Sequence, residues 1–127
     1  MNNIYADNIL DHASSPHNTN KLKSYSVSGV ADNILCGDKG EMYIRINAKV
    51  VEEVGIECSG CAISIASMSI MSDYIKGKTI KELESIMPSD VYNILGISVG
   101  PSRANCALLG YRALESCLRN CDTIDNK

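Results

Sequence analysis

Three thiols and one carboxylate in this 127-residue chain have the makings of a metal site: Cys36 and Asp38 in the run Cys36-Gly37-Asp38, then Cys61 and Cys106. Soft thiolates joined by one hard carboxylate suit zinc or iron, and a mixed set holds its metal less permanently than four thiolates would. Glycine between Cys36 and Asp38 lets the backbone fold so that both side chains point at one ion. Cys61 follows Gly60 at the predicted start of one helix, and Cys106 is expected in the first turn of another. Free N–H groups and the helix dipole at such positions favour a thiolate.

The other three of the six cysteines sort differently. Cys117 comes eleven residues after Cys106, on nearly the same helical face but ~16 Å further along the axis, too far to share a metal with ~2.3 Å bonds. It reads as a core thiol, and Cys121, beyond the last clear turn, as an exposed one. Cys58-Ser59-Gly60-Cys61 is a C-x-x-C pair that could be a redox couple or half a zinc site. Alternation with Val50, Val54 and Ile56 instead puts Cys58 on an apolar strand face.

Arg103 stands three residues before Cys106, where its guanidinium could stabilise a thiolate or persulfide, or simply face solvent. His12 and His17 read as a helix cap and a surface residue. There is no Ser/His/Asp set, no pair of catalytic carboxylates and no phosphate-cradling glycine loop, so hydrolase chemistry has no visible machinery.

Positioning these groups requires a scaffold of one domain, residues 1–127, by the usual size prior. Ile4 to Ala13 is predicted as an amphipathic helix stopped by Ser14-Ser15-Pro16. A strand over Tyr25 to Val30 leads to the turn at Cys36–Gly40. Met42, Ile44, Ile46 and Ala48 then alternate, as do Val50, Val54, Ile56 and Cys58, predicting an antiparallel hairpin turned at Asn47 to Lys49. From Cys61 to about Gly77 the residues are small and apolar nearly all round, which predicts a buried helix. Thr79 with Glu82 forms a capping box for a helix over Ile80 to Met87. Residues Ser89 to Gly100 are ambiguous. A last helix is expected from Pro101 to about Leu118, followed by a frayed polar tail, Asp122 to Lys127.

Composition excludes other partners. The net charge of −3 is spread without a basic stripe, which argues against nucleic acid. No apolar run approaches the ~20 residues of a membrane span, and no secretion signal is visible, so a soluble cytoplasmic protein without a disulfide framework is expected.

On these motifs the chain resembles the U-type iron–sulfur cluster assembly scaffolds, the IscU, SufU and NifU N-terminal family. Tyr5 through Asp11-His12 with Pro16 and Asn18 is similar to the family's opening helix. Cys36-Gly37-Asp38 resembles its first ligand motif, Gly60-Cys61 through Met71 its second, and Pro101-x-Arg103-x-x-Cys106-Ala107 its third. The resemblance implies an α+β fold, a three-stranded antiparallel sheet packed with helices. It also implies sulfur delivery as persulfide by a cysteine desulfurase partner to a scaffold cysteine, and Cys106, near Arg103, is the expected acceptor. A transient [2Fe–2S] cluster would follow, on Cys36, Asp38, Cys61 and Cys106, for transfer to acceptor or carrier proteins. Two features depart from the Isc-type branch: Asn105 stands where a histidine is usual, and Val99-Gly100-Pro101-Ser102-Arg103 replaces the stretch its Hsp70 chaperone recognises. The resemblance therefore extends to neither. Ile63-Ser64 and Arg103 are closer to the Suf-type branch, whose members bind zinc and accept persulfide, yet that branch's insertion before the third motif is absent. Three readings stand: a cluster scaffold, a zinc-dependent persulfide acceptor without a cluster, and a small structural zinc or thiol redox module built on Cys58 and Cys61.

Overall fold

The computed structural model describes residues 3–34, 37–96 and 100–125. Its order is α1 (Asn3–Ser14), β1 (Val27–Asn33), β2 (Asp38–Asn47), β3 (Val50–Ser59), α2 (Ala62–Ile75), α3 (Ile80–Glu84), α4 (Pro88–Leu95), α5 (Pro101–Ala107) and α6 (Leu109–Asp125). The three strands form an antiparallel sheet in the order β1-β2-β3, so the expected α+β architecture is what the chain adopts.

Period-two alternation along β2 turns Asp38, Gly40, Met42 and Ile44 toward the helices, and all four are buried. Opposite them, β1 runs antiparallel with Asn33 paired to Asp38. The β2–β3 hairpin turns through Ala48 and Lys49 at φ 54° and 64°. Two consecutive positive φ angles match the twist of the strands they join. One detail departs from simple alternation: Val51 pairs with Ile46 and Glu53 with Arg45, so Glu52 bulges out, and the buried set becomes Val51, Val54 and Ile56.

Helix α2 is the centre of the helical layer, packed on β3, α1, α5 and α6. Its small side chains allow close approach. A Cβ at Gly110 of α6 would fall 2.7 Å from the Ser67 carbonyl, so only glycine fits there. The serines this helix buries are satisfied: Ser67 donates to the Ala107 carbonyl at 2.7 Å and accepts from Gly110 N–H at 3.0 Å.

Several boundaries differ from expectation. The first strand is shifted to Val27–Asn33, and α3 ends at Glu84. The ambiguous stretch holds α4, which Pro88 opens at its first turn and Gly96 closes at φ 75°. The expected last helix is two, broken at Leu108, whose backbone (φ −91°, ψ 2°) leaves the helical region. The second of these continues to Asp125, well past the predicted end near Leu118.

Candidate metal centre

Three of the four anticipated residues converge. Ligand atoms of Asp38, Cys61 and Cys106 all lie within 4.8 Å of one another. Cys36 lies outside the described residues. Each of the three comes from a different element: the first residue of β2, the residue capping α2, and the penultimate residue of α5.

Asp38 is wholly buried, the end of the inward stripe of β2. Its Oδ1 accepts the Cys61 backbone N–H at 2.9 Å, one of the donors that the start of α2 leaves open. Its Oδ2 accepts Asn33 Nδ2 at 3.3 Å and the Cys106 thiol at 3.4 Å. Burial disfavours the charged form, but these donors together with Ser64 outweigh it, and the carboxyl is held below its ordinary value. A carboxylate ionised in a dry setting is an available oxygen ligand.

The two thiols differ in character. Cys61 is half-buried, with Ser64 Oγ 3.4 Å from its Sγ. Burial opposes its ionisation, yet hydrogen bonds from the Ser64 hydroxyl and backbone bring the thiol below its ordinary value. Cys106 is fully buried and pushed up to about 12 by burial and by the neighbouring Cys61 and Asp38. This corrects the expectation that a helix start would make Cys106 a thiolate. Pro101 begins α5 and Ala107 ends it, so Cys106 sits in the last turn, where the dipole gives an anion no help. Its thiol donates to Asp38 Oδ2, and both residues could offer a donor atom to a metal ion.

The remaining residues fall as follows. Arg103 is exposed on α5, while Cys106 three residues on is buried. Cys58 is half-buried against the core at the end of β3. Cys117 is buried and donates to the Met42 carbonyl at 3.4 Å. Cys121, expected to be exposed, is buried at 4% because α6 runs past it. Sequence reasoning missed Ser64 and Asn33. Ser64 carried a signal, standing three residues after a helix-capping cysteine; Asn33 carried none until the β1–β2 register placed it opposite Asp38.

The NifU-like N-terminal domain family matches residues 4–127. The chain belongs to that family. Among relatives of this NifU-like domain, the zinc-dependent sulfurtransferase SufU of Bacillus subtilis is 31% identical, the match covering 91% of this chain and 89% of that protein. The iron–sulfur cluster assembly scaffold protein IscU 1 of Archaeoglobus fulgidus is 32% identical over 87% of this chain and 72% of that protein. Identity therefore does not separate the two branches. A crystal structure from Fervidobacterium islandicum, of a protein proposed as an iron–sulfur cluster assembly scaffold for the SUF system, superposes with a TM-score of 0.77 at 26% identity. That match covers 91% of this NifU-like chain and 96% of the other. No helix among the described residues is long and apolar enough to cross a membrane.

Proposed function

We propose that this chain is an iron–sulfur cluster assembly scaffold that takes sulfur from a cysteine desulfurase and iron from solution, holds a transient [2Fe–2S] cluster, and passes it to acceptor proteins. One observation carries the reading: two thiols and a wholly buried carboxyl converge from three elements. In the sequence Cys36 lies two residues from Asp38 and supplies the third thiolate of the proposed set. The oxygen ligand is the weak point of such a set and the place where cargo can leave.

Sulfur transfer balances without an external oxidant. A thiolate of this chain attacks the terminal sulfur of the desulfurase persulfide; a new S–S bond forms, the old one breaks, and the desulfurase cysteine leaves as thiolate. The nearby Arg103 makes Cys106 the acceptor expected from the sequence, but Cys106 is wholly buried whereas Cys61 is half-exposed, so we assign first contact to Cys61. Cys106 would join as a thiolate ligand once an incoming metal ion displaces its proton to solvent. Arg103 is exposed on the helix that carries Cys106, and we assign its guanidinium to docking the desulfurase rather than to the buried thiol.

The second reading, a zinc-dependent persulfide acceptor, is favoured by the spacing. Donor atoms within 4.8 Å of one another suit a single ion, and two thiolates with a carboxylate are acceptable to zinc. Zinc held by Asp38, Cys61, Cys106 and Cys36 would keep the thiolates deprotonated and the site ordered.

Anaerobic reconstitution with ferrous iron, cysteine, a desulfurase and a thiol reductant, which reduces the delivered persulfide sulfur to the sulfide of a cluster, separates the two. A scaffold develops thiolate-to-iron charge-transfer absorption that Cys61→Ser abolishes. Colourless protein retaining stoichiometric zinc and accelerating desulfurase turnover would overturn the scaffold reading in favour of the second. Persulfide mapping by mass spectrometry after brief exposure to the desulfurase tests the assignment to Cys61.

A further inference from the structure

A second set of donors lies at the opposite end of α2. His12 in the last turn of α1, His17 in the segment that follows and Asp73 near the end of α2 bring ligand atoms within 4.8 Å of one another. Asp73 is twelve residues from Cys61 along one helix, ~18 Å at 1.5 Å per residue, so no ion can be shared between the two groups.

The side chains are already held. His17 Nδ1 meets Asp73 Oδ2 at 2.5 Å, and Asn18 Nδ2 donates to Asp73 Oδ1 at 2.9 Å. His12 Nδ1 lies 2.7 Å from Ser69 Oγ, and the same hydroxyl accepts the His17 backbone N–H at 2.8 Å. The two imidazole centroids are 4.4 Å apart. Ser69 fixes one ring nitrogen of His12 and leaves the other for an ion, as at metal-binding histidines, while His17 and Asp73 would give up their mutual hydrogen bond to share that ion. The side chains of His17 and Asp73 are 53% and 42% exposed, giving an ion a path in. The Lys76 ammonium, which acts on Asp73, is turned to Asn18 Oδ1 at 2.6 Å and to Glu53 at 3.3 Å, which offsets its repulsion.

We propose that His12, His17 and Asp73 form a second, divalent transition-metal site that fastens α1 and its following segment to α2. Two imidazoles and one carboxylate select zinc, cobalt, nickel or ferrous iron over magnesium or calcium, and leave positions open to water. The site is independent of the thiol centre and of the function proposed for it.

Cobalt(II) added to untagged, reduced, full-length protein tests this, because thiolate ligation gives intense charge-transfer absorption and imidazole–carboxylate ligation does not. The chain has only two histidines, so their NMR signals report directly. Cobalt should broaden both His12 and His17 imidazole resonances, and His17→Ala and Asp73→Asn should each lower cobalt stoichiometry by one with any thiolate band unchanged. Imidazole signals that stay sharp in the wild-type chain under excess cobalt overturn the proposal, whatever the variants do. So does an unchanged stoichiometry in both variants. A missing thiolate band with broadened imidazoles would fail the thiol centre alone.

Discussion

A side chain on Gly60 and the carboxylate of Asp38 would occupy the same space: a Cβ at Gly60 would fall 2.2 Å from Asp38 Oδ1. Gly60 also has φ 143°, a conformation that side chains oppose. The glycine thus does two things, turning the chain from β3 into α2 and leaving the carboxylate its place against the Cys61 N–H. Gly60→Ala should cost about 1–3 kcal/mol of stability through strain and displacement. By moving Asp38 it should also weaken metal binding about tenfold or more. Urea unfolding and a cobalt titration followed at the thiolate band measure the two effects.

Asp38→Ala should make a reconstituted cluster persist. Removing the one oxygen donor closes the exchange point, so transfer to an apo-acceptor should slow by about an order of magnitude while the charge-transfer spectrum is retained. Transfer at the wild-type rate would show that cargo leaves by another ligand.

Gly110→Ala tests the close packing of α2 on α6. The new methyl group would meet the Ser67 carbonyl at 2.7 Å and Met71 Cγ at 2.9 Å, and backbone cannot rotate away as a side chain can. A loss of about 1–3 kcal/mol is expected, with the urea midpoint falling and the slope unchanged.

Alkaline pH should destabilise the chain in part through Cys117. Burial pushes this thiol up to about 12 in the folded state, against about 8.5 for an unfolded cysteine. A raised folded value means stability that is complete below about pH 8.5 and is lost as pH climbs toward about 12. Cys117→Ala lacks this component, so its stability should fall less steeply over that window, by on the order of a few kcal/mol. Tyr43 and Tyr111, also raised by burial, contribute to both proteins alike. Urea midpoints across the window, under reducing conditions, make the comparison; parallel curves would remove Cys117 from the account.

Local periodicity was readable where one face is buried and the other wet. Met42 and Ile44 announced the inward stripe of β2, and the apolar run after Cys61 announced α2. Breaks set by tertiary packing were not. Nothing local marks Leu108 as the corner between α5 and α6, and that corner moved Cys106 from a helix start to a helix end. The extra residue at Glu52 likewise shifted the phase of β3, since a bulge is a property of the pair of strands and not of either alone. The thiols and carboxylate could be named from type and spacing. Their protonation could not, because it depends on Ser64 and Asn33, which reach them only through the fold.

The inward stripe of β2 carries a constraint of parity. Asp38 stands four residues before Met42 and six before Ile44, so core and carboxylate face the same way only while those intervals stay even. Insertion or deletion of a single residue inside the strand would point Asp38 at solvent while leaving every residue type intact. The Cys36-Gly37-Asp38 spacing is fixed by the proposed ligand set. Homologous chains should therefore hold a fixed count from this aspartate to the first core methionine.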